Sequence, residues 1–125
     1  ALDVPVTISG GLKDAETIKR VFEYTGCDAV MLARGIMGNP WLFEEVLGNR
    51  DEPPTPQEIV EELDWTMDKA VEHIGEDRAG RYLRKFYPWY VERLDGGHEL
   101  QDAMQRAEGV EAARAAFHAA ALATA

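Results

Sequence analysis

Cysteine is almost missing from this sequence: Cys27 is the only one. One thiol excludes an internal disulfide framework and a cysteine-based zinc cluster, and it fits a reducing cytoplasm. No apolar run approaches the ~18 residues of a membrane span, so no spanning helix and no membrane partner are expected. Basic residues are outnumbered, 13 Lys and Arg against 23 Asp and Glu, for a net charge of −10. That balance excludes a uniformly basic nucleic-acid binder but leaves room for a local basic patch. There is no fixed-period repeat and no basic, then apolar, signal segment at the start. The strand-like pattern begins almost at Ala1, and the chain reads as a piece of a longer polypeptide. With 46% hydrophobic and 29% charged residues, its composition is globular, not disordered or collagen-like.

Three regions separate along the chain. Residues 1–47 alternate strand-like and helix-like patterns. Residues 48–56, GNRDEPPTP, form a linker in which Gly, Pro and charge interrupt regular backbone. Residues 57–125 read as helix only. In the first region Val4, Val6 and Ile8 make a short β-prone run with Pro5 near its start, ended by Ser9-Gly10-Gly11. A helix is expected from about Asp14 to Tyr24, its inner face Ala15, Ile18, Val21 and Phe22, with Gly26 just past its end. Ala29 to Ala33 is apolar without alternation, as in a parallel strand buried on both faces. Arg34-Gly35 closes it, and Gly38-Asn39-Pro40 turns into a short helix. These are two β/α units of a parallel α/β fold. A full β/α barrel needs roughly 250 residues, so the chain supplies about a quarter of one at most. The strand edges would be bare, with self-association through them as the expected consequence.

Thr55-Pro56-Gln57-Glu58 is a capping box with proline at the first helical position. The helix it opens places Val60, Leu63, Met67, Ala70, Val71 and Ile74 on one face, and Gly75 stops it. A second helix from about Asp77 to Tyr90 contains Pro88, which should kink or split it. Gly96-Gly97 precedes a third, Leu100 to Ala107, and a fourth, Val110 to Leu122. Four such helices can bury one small core. The expected fold class is therefore α/β followed by all-α.

Two constellations could carry chemistry. Ser9-Gly10-Gly11 and Ala33-Arg34-Gly35 both stand at C-terminal strand ends, where α/β folds place ligands. Their amides can point at an anion and Arg34 adds a fork of donors, although glycines there can equally serve only tight turns. The second is a basic stripe. Arg78, Arg81, Arg84, Lys85 and Arg93 lie between positions 78 and 93, with Glu92 the only acid in that window. Arg78, Arg81 and Lys85 share one helix face, and Tyr82, Phe86 and Trp89 the neighbouring one. The stripe can grip a phosphate backbone or be a solvated face beside an aromatic core. Cys27 sits before the second strand, at the end remote from ligands, and reads as structural. His73, His98 and His118 have no metal-ligand spacing and read as surface, as does the Glu61-Glu62 pair. No catalytic group and no metal site are assigned.

The runs VPVTISGGL, TGCDAVMLARGIMGNPWLF and GRYLRKFYPWY resemble the C-terminal part of bacterial tRNA-dihydrouridine synthases. The family pattern TGCDGVMIGRGALGNPW is met by Thr25, Gly26, Cys27, Asp28, Arg34, Gly35, Gly38, Asn39, Pro40 and Trp41. The resemblance implies the last two β/α units of an FMN-binding TIM barrel in residues 1–47 and a C-terminal helical, tRNA-binding bundle in 57–125. It implies an oxidoreductase in which NADPH reduces FMN, a hydride passes to C6 of a tRNA uridine, and a cysteine protonates C5. Ser9, Gly10, Gly11, Ala33 and Arg34 would hold the FMN phosphate, and Arg78, Arg81, Arg84 and Lys85 would face tRNA. Ser9 and Gly11 replace the family's Asn and Asp, and Ala33 replaces Gly, changes that backbone contacts would survive. The family's catalytic cysteine belongs to earlier strands, so these residues alone are expected to be inactive and to need the rest of the barrel as partner. The rival expectations are a free-standing helical RNA-binding module and a piece of another FMN-binding barrel.

Overall fold

The computed structural model describes residues 3–124 and divides into two compact units, Ala1–Pro53 and Pro54–Ala125. The first unit holds β1 (Thr7–Ser9), α1 (Ala15–Thr25), β2 (Ala29–Met31), one 3-10 turn (Arg34–Ile36) and α2 (Leu42–Leu47). The two strands pair in parallel, Thr7 opposite Ala29, Ile8 opposite Val30 and Ser9 opposite Met31. Pairing starts before β1: Val6 N–H donates to Asp28 Oδ2 (2.7 Å) and the Val6 carbonyl accepts from Asp28 N–H (3.0 Å). Pro5, lacking an N–H, stays outside the ladder, so β1 begins later than Val4.

Asp14 caps α1, accepting from Thr17 N–H (2.7 Å) and the Thr17 hydroxyl (2.9 Å); these bonds hold its carboxyl below its usual range. Gly26 ends the helix at φ 65°, a left-handed conformation that a side chain would strain. Leu12, Ile18 and Leu42 form the core of this unit, with Val21, Phe22, Val30 and Leu32 packed against it. The second strand departs from expectation. Only Ala29–Met31 is strand, and Met31 is 56% exposed while Val30 and Leu32 turn inward. A parallel strand needs cover on both faces, and within this unit α1 and α2 cover the Val30 side.

The second unit is all helix: α3 (Pro56–Ile74), α4 (Glu76–Leu83), α5 (Tyr87–Arg93), α6 (Gly97–Arg106) and α7 (Val110–Thr124). The capping box forms, with Glu58 N–H donating to Thr55 Oγ1 (3.2 Å) and Thr55 N–H to Glu58 Oε2 (2.7 Å). Proline splits the second expected helix, as its missing N–H and ring require; Pro88 falls in the first turn of α5. The break re-phases the buried side. Leu83, Tyr87, Tyr90, Val91 and Leu94 enter the core, while Tyr82 and Trp89, expected as core on one reading, remain 46% and 37% exposed. Ile59, Leu63, Met67, Met104, Val110 and Phe117 complete the core, and Ile74 lies outside it.

Arg114 of α7 ties this unit together, reaching Asp64 Oδ1 at 2.8 Å, Asp68, and Glu111 Oε1 at 3.1 Å. His118, read as a surface residue, is half-buried and sits 2.9 Å from Asp64 Oδ2. Glu62 is likewise half-buried, and loss of solvation pushes its carboxyl above the usual range. Their one-turn spacing to buried neighbours on α3 and α7 is what the sequence reading overlooked. No helix among the described residues is long and apolar enough to cross a membrane, and no cluster among them could hold a metal ion.

Candidate functional site

Because β1 and β2 run parallel and in register, the turns that follow them emerge at the same end of the sheet. Both turns line one cavity of about 170 Å³. Its wall includes Ser9, Gly10, Gly11, Lys13, Ala33 and Arg34. Gly10 and Gly11 have φ of 115° and 67°, which only glycine adopts without strain, so the chain doubles back immediately after β1. Gly35 does a different job. A Cβ there would stand 1.9 Å from the Leu12 carbonyl oxygen and 2.9 Å from its carbon. The two turns touch backbone to backbone, and a hydrogen at position 35 is the condition for it.

Two cations face this cavity, Arg34 and Lys13, both exposed and neither in an ion pair among the described residues. Outside the strand ladder, no main-chain acceptor among the described residues takes the N–H of Gly11, Arg34 or Gly35. Free amides beside a guanidinium and an ammonium favour a small anion with several acceptor oxygens. Lys13 was not singled out from sequence. Its signal was present, a cation two residues after the glycine pair and just before the Asp14 cap. Cys27 lies before β2, away from these turns in sequence and half-buried, with its N–H on the Thr25 hydroxyl (3.2 Å).

In the helical unit the basic stripe is solvent-facing. Arg78, Arg81, Arg84 and Lys85 are all exposed, whereas Arg93 is half-buried. None of the first four pairs with a carboxylate among the described residues, although Arg50, Lys69, Arg106 and Arg114 do. Lys85 Nζ instead lies 3.9 Å from the centre of the Tyr82 ring and 5.0 Å from that of Phe86. Arg84 is fixed through its carbonyl, which accepts from Gln105 Nε2 at 2.7 Å.

Against known proteins, the dihydrouridine synthase (Dus) family model matches residues 1–125. The chain belongs to the dihydrouridine synthase family. A probable tRNA-dihydrouridine synthase of Mycobacterium leprae is 35% identical over 106 residues, covering 81% of this chain and 28% of that protein. The tRNA-dihydrouridine synthase B of Vibrio parahaemolyticus is 35% identical over 107 residues, and that of Yersinia pestis 28% over 123. The chain thus spans about a third of the length of the relatives it matches (28%, 33% and 38% of those three).

Ser9, Gly10, Gly11, Ala33 and Arg34 all fall on the one cavity, with Lys13 added. The four stripe cations Arg78, Arg81, Arg84 and Lys85 fall on α4 and the turn after it.

Proposed function

We propose that the protein to which this chain contributes reduces uridine to 5,6-dihydrouridine in tRNA, with FMN as cofactor and NADPH as reductant, in the cytoplasm. On this reading Ala1–Pro53 is the closing part of a TIM barrel and Pro54–Ala125 a helical tRNA-binding domain. The observation that carries the proposal is the meeting of two glycine turns and Arg34 at one cavity, in a chain whose whole length matches the family.

The residues suit an FMN phosphate. Gly11, Arg34 and Gly35 offer main-chain N–H groups, Ser9 a hydroxyl, and Arg34 and Lys13 positive charge that no carboxylate among the described residues neutralises. When bound, the cofactor supplies hydride transfer. This chain's part is to hold its anion, to which two cations and several N–H donors are suited. The four unpaired cations of the helical unit would lie on the tRNA backbone, where each neutralised phosphate releases counterions. Cys27 stands at the cysteine of the TGCD pattern and is not the general acid, so a second cysteine from outside these residues is required for the reaction.

The test is the full-length protein and the tRNA of cells lacking it. The expected result is yellow protein carrying FMN, and loss of dihydrouridine from that tRNA restored by the intact gene. Flavin-free protein with unchanged dihydrouridine would refute the reading. Flavin-carrying protein with dihydrouridine unchanged in the tRNA of cells lacking it would point to another FMN-dependent barrel. Salt-dependent tRNA binding without flavin would favour an RNA-binding module.

A further inference from the structure

An open groove runs between α3 and α4 in the helical unit, with a volume of about 390 Å³. Trp65, Ala70 and Ile74 form one wall, and Tyr82 and Phe86 the other. Trp65 is 60% exposed, an unusual position for so large an aromatic side chain. Tyr82 and Phe86 are set against each other, centroids 5.3 Å apart and planes inclined 53°, so the second wall is an aromatic pair. Lys85 Nζ sits over Tyr82 at the groove's edge, and Lys69 and His73 border the other side. Lys69 is paired with Glu72, so the uncompensated charge comes from Lys85 with Arg78, Arg81 and Arg84 nearby in sequence.

We propose that this groove is a stacking site for one unpaired RNA base, with Trp65 as its platform and Lys85 beside the base's own phosphate; the proposal rests on the tRNA reading above. Three features select this occupant. An exposed aromatic face takes any base by stacking, and the groove is large enough for a heterocycle. Lys85, without a carboxylate partner among the described residues and seated over the Tyr82 ring that lines the groove, complements a phosphate. A second copy of the chain would bring the same cations against one another, which disfavours self-pairing here. The stripe alone would grip a duplex as readily as a single strand. The aromatic groove adds a preference for bases that are out of the stack.

The experiment uses the full chain at low salt with two labelled probes, a uridine hexamer and a fully paired RNA duplex long enough to stay base-paired, each variant's affinity being compared with the wild type on the same probe. Tryptophan emission should be quenched by the hexamer. Trp65→Ala should weaken hexamer binding by roughly five- to a hundred-fold while leaving the duplex within about twofold. Trp65→Phe should restore most of the hexamer affinity and abolish the quenching, which a merely structural role would not do. Arg81→Gln with Arg84→Gln should weaken both probes and flatten the salt dependence. Unfolding of each variant by circular dichroism establishes that it folds. Equal hexamer binding by wild type and Trp65→Ala overturns the stacking site and leaves RNA binding standing. Failure of the wild type to bind either probe overturns RNA binding itself. Quenching by an acidic peptide but not by RNA assigns the groove to a protein partner and refutes the proposal.

Discussion

Replacing Gly35 by Ala tests whether the two ligand-facing turns really meet. The added Cβ would lie 1.9 Å from the Leu12 carbonyl oxygen and 3.2 Å from Lys13 Cα. Both are backbone atoms and cannot rotate aside. The turns must part by roughly 1 Å before that contact becomes tolerable, and Leu12 is a buried core residue of the unit. Overpacking of this kind costs about 1–3 kcal/mol, and a clash with main chain belongs at the upper end. A loss of about 3 kcal/mol corresponds to roughly hundredfold faster amide exchange across the affected element. Gly11→Ala is the control. Its φ of 67° costs about 1–2 kcal/mol with a side chain, but the new Cβ meets nothing within 4 Å. Hydrogen exchange followed by mass spectrometry should show loss of protection over residues 7–36 in Gly35→Ala, and a smaller, local loss in Gly11→Ala. In the full-length protein the Gly35 variant should also purify with less flavin. Unchanged protection in Gly35→Ala would mean that the turns do not touch, and the cavity between them would lose its basis.

Two further substitutions probe the helical unit. Arg114→Ala removes a guanidinium that bridges Asp64, Asp68 and Glu111, and should cost about 1.5–3 kcal/mol in urea unfolding, with Arg114→Lys recovering only part because an ammonium cannot span that fork. Glu62→Gln should raise the unfolding midpoint at pH 7, by about 0.5 kcal/mol or less, and lose that advantage on acidification. The sign follows from burial: the folded carboxyl titrates above its unfolded value, so its contribution is complete below the unfolded pKa and is lost as pH rises through the folded one. A Gln variant that stabilises equally at pH 4 and pH 7 would contradict this.

Much of the fold could be read from local chemistry. Asp14, Gly26, the Thr55–Glu58 box, Gly75 and Pro88 are each a backbone requirement expressed in one residue type, and each acts as the sequence suggests. The paired glycine turns were also legible, because their conformations admit little else. What was not legible depends on long-range packing. The apolar run from Ala29 suggested burial on both faces, yet cover for the Met31 side lies in no segment of this unit. The split at Pro88 was expected, but not its effect on the aromatics: a break of three residues moved Tyr87 and Tyr90 inward and left Tyr82 and Trp89 outside. Likewise Glu62 and His118 look like ordinary surface residues until α3 and α7 are packed together. The contact of Gly35 with Leu12 joins residues far apart in sequence, and only the register of the two strands creates it.

The central claim is that the paired turns and Arg34 hold a flavin's phosphate, and a comparison of FMN with riboflavin in the full-length protein addresses it most directly. The two ligands share the ring and differ by the phosphate. FMN should bind the wild type at least tenfold more tightly than riboflavin, and Arg34→Ala should weaken FMN by roughly ten- to a hundredfold while leaving riboflavin unchanged, as expected for loss of about 1.5–3 kcal/mol of charge-assisted hydrogen bonding. Equal affinity for both ligands, or an Arg34 variant that affects them alike, would place the anion elsewhere and contradict the account.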